Sequence, residues 1–334
     1  MSAPGPGPTL LVLGDLGDER CGVGSSEAVL AAMAPGEVRA LDPTAGSFLG
    51  FARRLRRTAH GAHGAVVAYP TLSQVERLRV VPRLLLLRAL LGRRGWLRVH
   101  LHEFERLRRR QRLAVAVVVG LIATRVVVSS EREAAALRRR YRGWAGRSEV
   151  VVVPPANGSA PAALAVGHEE ACRGTLGLVG QLRPDKGVDW LLATLGALDP
   201  RFDRLEIVGR DWDLTTWPES LLSRYEVVAH GQLPAAELPA VVSRWELALA
   251  PFEEPPHDGR LSLRTPLAHG VPTLTRGPRP SHLQIAAPHL LFDDEIDLVA
   301  VPTFDGVERA AGAKVVAELE QVWRTQLVEE LFGP

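Results

Sequence analysis

The first half of the chain alternates short apolar runs with longer stretches whose apolar residues recur at helical spacing. The apolar runs have the length of buried strands, and we predict them at 10–13, 38–41, 65–68, 97–101, 125–128 and 149–153. Helices are expected between them, from a cap at Ser25 or Ser26 onward and at 48–57, 73–91, 106–122 and 131–141. Strands and helices that alternate in this way are typical of a doubly wound parallel sheet.

The second half repeats the alternation. Strands are predicted at 175–179, 205–210, 227–231 and 247–251, and helices at 188–195, 236–243 and 307–331. A length of 334 residues suits two domains of about 150 residues. The proline-rich segment 154–161 separates them. We therefore predict an α/β protein with a first domain at 1–154, a linker at 155–173, a second domain at 174–310 and a C-terminal helix at 311–334 that returns to the first domain.

One strand-to-helix junction carries two cations. The apolar run 175–179 ends at Gly180, and Arg183 and Lys186 precede the apolar helical positions from Val188 onward. A helix N-terminus offers free N–H groups and a positive dipole to an anion, and a guanidinium with an ammonium strengthens such a site for a diphosphate. The alternative is that both are solvated loop charges. In either case we expect both side chains to be exposed, so that their replacement hardly changes the melting temperature.

The segment VGQLRPDKGVDWLLATL resembles the donor-phosphate loop of retaining glycosyltransferases of the GT-B fold, family-4 type. The similarity is strongest over residues 174–274. It implies two Rossmann-like domains facing across a cleft, and transfer of a sugar from a nucleotide diphosphate sugar to an acceptor held by the first domain. Gly180 would bind the donor, and Arg183 and Lys186 would stabilise the leaving diphosphate. We expect no cofactor, and no metal if the basic side chains and the helix end neutralise the phosphates.

In the first domain, the glycine-bearing loop at 14–26 and the end of a strand are candidates. Gly22 and Gly24 match the glycine-rich loop that such enzymes place near the donor phosphate, although a plain connection is an equal alternative. His100 and His102 alternate at a strand end, where parallel sheets bind ligands. The resemblance assigns His102 to the donor sugar. A structural histidine is the alternative, and a metal is disfavoured because no third ligand is evident.

The segment 251–272 departs from the resembled family. Most relatives have two glutamates here, spaced Glu-x7-Glu, whereas this chain has Asp258 at the first position and Arg264 or Thr265 near the second. The resemblance implies that Asp258, with the backbone of Gly259 and Arg260, holds sugar hydroxyls. We expect Thr265 to cap a helix whose first residue is a proline, because threonine and proline favour these positions. A surface loop with stray charges is the alternative.

The remaining donor-binding residues follow from the resemblance. The His-Gly-Gln-Leu stretch would lie near the nucleotide base through its backbone, and the helix start would face the phosphates. These residues are Gly209, Arg210, His230, Gly231, Leu233, Leu261, Ser262, Arg264 and Thr265.

The charge is unevenly distributed. Residues 1–160 contain 25 Arg, no Lys and 12 acidic residues, for +13, whereas residues 161–334 contain 15 basic and 26 acidic residues, for −11. One explanation is that the two halves of opposite charge attract each other. The alternative is that the first half carries a basic surface that binds an anionic lipid or an anionic acceptor. Few aromatic residues and the absence of a recognised motif argue against nucleic acid.

Two further features concern the compartment. Cys21 and Cys172 are far apart in sequence and indicate no disulfide framework, which fits a reducing cytoplasm. The N-terminal residues lack the pattern of a signal peptide, and the apolar run 113–124 is too short to span a bilayer. We therefore expect a cytoplasmic protein, or one bound peripherally to the inner face of the membrane.

Two rival functions stay open. The missing second glutamate fits a catalytically silent subunit that binds a nucleotide sugar or a partner. An epimerase on the same fold would interconvert donor sugars without an acceptor.

Overall fold

The computed structural model describes residues 8–12, 22–69, 77–92, 95–101, 115, 122–140, 149–157, 173–181 and 186–333. These residues form two compact units, one of residues 1–158 with 322–334 and the other of residues 159–321. The division after Gly158 falls inside the predicted linker, residues 155–173.

The first unit contains one parallel sheet. Its strands are β1 (Thr9–Val12), β2 (Val38–Leu41), β3 (Gly64–Tyr69), β4 (Trp96–Leu101), β5 (Arg125–Val128) and β6 (Glu149–Val152), in the order β2-β1-β3-β4-β5-β6. Its helices are α1 (Gly22–Met33), α2 (Phe48–Thr58), α3 (Arg77–Leu91) and α4 (Glu131–Arg140). All six strands agree with the prediction to within one residue at each end. The predicted helix 106–122 lies almost entirely outside the described residues.

The second unit repeats this architecture. Its strands are β7 (Thr175–Val179), β8 (Arg204–Val208), β9 (Glu226–Gly231), β10 (Leu247–Ala250), β11 (Thr273–Thr275) and β12 (Leu290–Phe292), in the order β12-β11-β10-β7-β8-β9. Its helices are α5 (Val188–Ala197), α6 (Glu219–Arg224), α7 (Leu238–Val242), α8 (Leu261–Ala268) and α9 (Gly306–Phe332). Strands β11 and β12 were not predicted, since three residues are too few to show a period.

The predicted doubly wound class is confirmed, because every strand pair in both sheets is parallel. Parallel strands that are covered on both faces need apolar side chains on both. The core of the second unit shows this: Leu176 and Leu178 pack on one face of β7, whereas Gly177 faces Trp245 on the other. A Cβ at Gly177 would lie 1.9 Å from the indole, so the ring fits only over glycine.

The end of α9 belongs to the first unit. Arg125 forms an ion pair with Glu330 at 2.6 Å, and Arg98 donates to the carbonyl oxygen of Glu329 at 3.3 Å. Arg324 donates to the carbonyl oxygen of Asn157 at 2.7 Å. These bonds fix the last turns of the helix against β4, β5 and the segment that follows β6. None of the described helices is both long enough and apolar enough to pass through a bilayer.

Two histidines are fully buried in the second unit. Burial lowers the pKa of His269 and of His289 from 6.5 to about 4, because the protonated ring is poorly solvated there. The Nε2–H of His289 is 3.2 Å from the carbonyl oxygen of Leu267, and the nearby Arg309 also disfavours its protonation.

We therefore predict that this unit loses stability between about pH 6.5 and 4. In that window the unfolded chain binds more protons than the folded one, so the free energy of unfolding rises with pH, by up to roughly 1.4 kcal/mol per pKa unit for each ring. Urea unfolding over this pH range checks it. His289→Gln should flatten the slope, and the exposed His60→Gln should not. An unchanged slope in His289→Gln would contradict the assignment.

Candidate functional site

Three glycines lie side by side where strands β7, β8 and β9 end. The N–H of Gly180 donates to the carbonyl oxygen of Val208 at 2.8 Å, and the N–H of Gly209 donates to that of Gly231 at 2.7 Å. All three have positive φ, and a Cβ at Gly209 would lie 1.9 Å from the Gly180 oxygen. The close approach of these backbones requires glycine. It leaves bare backbone at the carboxyl edge of the sheet, where α/β proteins bind ligands.

Lys186 lies beside this edge. Its side chain is only 5% exposed, its Nζ donates to Ser262 Oγ at 2.7 Å, and it lies 4.8 Å from the centre of the Phe252 ring. A Cβ at Gly180 would be 3.4 Å from Lys186 Nζ and from Ser262 Cβ. The structure therefore brings together Gly180, Lys186 and Ser262. The prediction that Lys186 is exposed is therefore wrong. Because the side chain is buried, its replacement should lower the melting temperature, contrary to the expectation from the sequence. Arg183 lies outside the described residues.

Gly187 connects Lys186 to helix α5. Its φ is 53°, and a Cβ would lie 2.7 Å from the carbonyl group of Phe252. Only glycine combines the left-handed conformation with this contact. The glycine thus lets the loop pack on Phe252, and this packing holds the ammonium of Lys186 over the ring and against Ser262.

Helix α8 begins at Leu261, five residues earlier than predicted. Arg260 is its N-cap and makes no side-chain capping bond, while Thr265 and Pro266 lie inside the helix. The prediction that Thr265 caps the helix is therefore wrong. Pro266 has no backbone N–H, so the helical hydrogen bond to the carbonyl oxygen of Ser262 is missing. The helix ends within one turn of Pro266. Because it starts at Leu261, the helix presents its first N–H groups next to Ser262.

A second cation flanks the same ring. The guanidinium carbon of Arg260 is 5.2 Å from the Phe252 centroid, and Phe252 is fully buried. Lys186, Arg260, Ser262 and the N-terminus of α8 therefore lie around one aromatic side chain. Fixed cations at a helix N-terminus favour an anion with several oxygen atoms, such as a phosphate. We call these three residues and this helix end the Lys186 cluster.

The carboxylate of Asp258 accepts hydrogen bonds from the protein's own backbone. It is 7% exposed and accepts hydrogen bonds from the N–H groups of Gln284 and Ile285 at 3.1 and 3.2 Å. Burial raises its pKa, although these bonds and nearby Arg264 oppose the rise. The structure shows an anchor between two loops. The predicted contact of Asp258 with a sugar stays a prediction. Gly259 follows in the same turn, where its N–H donates to His257 Nδ1 at 3.1 Å.

Arg264 also points inward. It is fully buried, its Nε donates to Glu320 of α9 at 2.8 Å, and its Nη1 donates to the carbonyl oxygen of Asp258 at 3.0 Å. The structure shows an internal ion pair, and the predicted place of Arg264 beside a phosphate stays a prediction. Thr265 is likewise buried. The sequence could not reveal the pairing, because Glu320 is 56 residues away and belongs to a different helix.

The other residues assigned by resemblance are dispersed around the edge of the second sheet. His230 Nε2 is 3.3 Å from Glu206 Oε2, and Leu233 packs against the cluster around Trp245. Arg210 is exposed. Sequence reasoning missed Trp212, whose Nε1 donates to the Gly180 oxygen at 2.7 Å and so fixes the end of β7.

The candidates in the first unit are only partly described. Gly22 and Gly24 lie in the first turn of α1, not in a loop that ends at Ser25 or Ser26 as predicted. His102 lies outside the described residues. Its neighbour His100 is fully buried, with Nδ1 2.5 Å from Oε1 of the equally buried Glu27 on α1. Sequence reasoning missed this pair, since nothing marks Glu27 except its place in the helix after the glycine-bearing loop.

No group of three His, Cys, Asp or Glu side chains arranged to hold a metal ion occurs within the described ranges.

Comparison with known proteins identifies the fold. No protein-family model matches the chain, and no curated protein matches it in sequence. Solved structures do match. Sucrose-phosphate synthase from Thermosynechococcus elongatus has a TM-score of 0.59 at 16% identity, over 98% of this chain and 95% of that one. An alpha-glucosyltransferase in complex with UDP-glucose and DNA has a TM-score of 0.60 at 11% identity, over 99% of this chain and 96% of that one.

A third match is partial. The pneumococcal O-GlcNAc transferase GtfA, in complex with UDP and GlcNAc, has a TM-score of 0.53 at 15% identity, over 85% of this chain and 60% of that one. At these identities the likeness concerns the fold, and it agrees with the two six-stranded parallel sheets. The chain therefore has the GT-B fold of glycosyltransferases.

Proposed function

We propose that the protein is a glycosyltransferase that moves a sugar from a nucleotide diphosphate sugar to an acceptor. The observation that carries the proposal is the Lys186 cluster, which lies beside the carboxyl edge of the second sheet of a GT-B fold. The loop that carries Lys186 is also the one whose sequence resembles the donor-phosphate loop of family-4 enzymes. Membership of that family and retention of anomeric configuration are part of the proposal.

The cluster suits the departure of a nucleoside diphosphate. As the bond to the sugar breaks, negative charge grows on the leaving oxygen, and fixed cations stabilise that charge without reorganising. Lys186 and the N-terminus of α8 supply positive charge from the protein itself. We accordingly propose a reaction that needs no bound metal. Arg183, from the same loop, is proposed to share this role.

The nucleotide proposed first is UDP. Two of the structural neighbours were solved with UDP or UDP-glucose, and GDP and dTDP are the alternatives. We propose that the acceptor is anionic or held at a membrane surface, because residues 1–160 carry +13. A cytoplasmic location fits the two cysteines distant in sequence.

A nucleotide screen followed by a turnover assay tests the function. We expect one nucleoside diphosphate to raise the melting temperature, since a ligand at 100 times its Kd adds about 2.7 kcal/mol. The matching nucleotide sugar should then be hydrolysed slowly in the absence of acceptor, and NMR of the released sugar gives its anomeric configuration. Binding without turnover would favour the silent subunit, and conversion of one donor sugar into another would favour the epimerase. Binding of no nucleotide would contradict the transferase and the epimerase, and would leave only a silent subunit that binds a partner.

A further inference from the structure

Helices α2 and α3 cover the same face of the first sheet and leave an outer surface of their own. Phe51 and Leu55 of α2 are fully buried in one core with Leu84 and Leu87 of α3. The two helices are therefore neighbours on that face of the sheet. We define the α2–α3 outer surface by its exposed residues, which are Phe48, Leu49, Arg53, Arg56, Arg57, Leu85 and Leu90.

The surface exposes large apolar side chains. Leu49 is 69% exposed, Phe48 46%, Leu90 44% and Leu85 40%. Phe48 and Leu49 stand together at the first turn of α2, directly after its N-cap Ser47. Single exposed apolar residues are normal on a protein, but four on two adjacent helices, two of them consecutive in α2, are typical of a contact surface.

The same surface is basic. Leu49, Arg53 and Arg56 recur at helical spacing, so they share the face opposite to the buried Phe51. The side chains of Arg53, Arg56 and Arg57 make no hydrogen bond or ion pair with the residues that the structure describes. Helices α2 and α3 contain no acidic residue.

Other charged groups nearby are already engaged. Arg54 donates to the carbonyl oxygen of Ala45, and Arg83 donates to that of Gly46 at 2.7 Å. Asp42 accepts from Thr44, and Glu37 pairs with Arg39. Within the part of the chain that the structure describes, no acidic side chain therefore neutralises the three exposed arginines.

We infer that the α2–α3 outer surface docks on an anionic lipid membrane. Arginines attract anionic headgroups, while Phe48 and Leu49 enter the boundary between headgroups and acyl chains. A soluble polyanion would use the arginines but would give the exposed apolar side chains no partner. The inference does not depend on the donor chemistry, because membrane binding is measured without nucleotide or acceptor.

Vesicle binding of the full chain tests the inference. We expect flotation with phosphatidylcholine vesicles that contain phosphatidylglycerol, and none with phosphatidylcholine alone. Each arginine near an anionic surface strengthens binding roughly fivefold, so Arg53→Ala/Arg56→Ala/Arg57→Ala should weaken it by about 100-fold. Arg139→Ala/Arg244→Ala/Arg276→Ala removes the same charge from other exposed positions and should bind nearly as the unaltered protein does.

Leu49→Ser separates a membrane from a soluble polyanion. This side chain is largely exposed, so folding should be unaffected, which circular dichroism checks. We expect weaker vesicle binding and unchanged retention on heparin. Equal vesicle binding by Leu49→Ser, or equal losses in the two triple variants, would overturn the inference. It would also fail if anionic vesicles bound no protein at low salt, where screening is weakest.

Discussion

Lys186→Ala is expected to lower turnover by about 10²–10³-fold, which corresponds to roughly 3–4 kcal/mol of transition-state stabilisation. The ammonium is held by Ser262 and Phe252 before any ligand arrives, so it costs no reorganisation when charge develops on the leaving oxygen. Loss of an interaction that strengthens in the transition state lowers kcat as well as affinity. Steady-state kinetics with the donor identified by the nucleotide screen measures the effect.

The chain supplies a matched control for this experiment. Lys314 is the only other lysine of the sequence and is exposed on α9, so Lys314→Ala should leave kcat unchanged. Lys186 is buried, and its loss should also lower the melting temperature. Circular dichroism must therefore show that the variant is folded at the assay temperature. Near-normal turnover in folded Lys186→Ala would remove the residue from the active site and take away the main support for a glycosyltransferase.

Arg183 extends the same prediction. From the sequence we expect a similar loss of turnover in Arg183→Ala. Arg183→Lys should recover only part of it, since an ammonium cannot form two parallel hydrogen bonds. If both cations act on one leaving group, the double variant loses less than the product of the single losses.

Arg264→Ala is expected to destabilise the second unit by about 3–5 kcal/mol. The change leaves the carboxylate of Glu320 buried without its guanidinium, and the cost of an uncompensated buried charge is high. It also removes the donor to the carbonyl oxygen of Asp258 in the loop before α8. Urea unfolding followed by probes in each unit measures the effect, because a chain of two units need not unfold in one step.

Two comparisons define the outcome for Arg264. Arg264→Met/Glu320→Leu replaces the ion pair by apolar side chains and should cost much less than either single truncation. The surface pair of Arg279 and Glu295 has more exposed side chains, and its truncation should cost about 0–1 kcal/mol. If Arg264→Ala were as stable as Arg279→Ala, the buried pair would not hold α8 against α9.

Local sequence was sufficient for most of the architecture. A strand between two layers of helices must be apolar on both faces, so runs such as 126–128 are visible without any knowledge of their neighbours. The glycines at the strand ends are visible for a similar reason, since Gly180 and Gly209 need positive φ within their own turns. The loop around Lys186 could be located because its cations, glycines and helix lie within a dozen residues.

The tertiary structure decided which of those residues share a site. Asp258 and Arg264 have the chemistry of ligand-binding groups, but the backbone at Gln284 and the carboxylate of Glu320 engage them. Lys186 is buried because distant residues pack on it, among them Ser262, 76 residues away, and Phe252. A local sequence pattern is enough to predict that a strand is buried. The partner of a charged side chain, in contrast, depends on which distant elements pack against that side chain. The sequence by itself therefore determined the strands of the first sheet, four of the six strands of the second sheet and the cation-bearing loop. Long-range packing decided which polar side chains bind other parts of the protein and which form the Lys186 cluster.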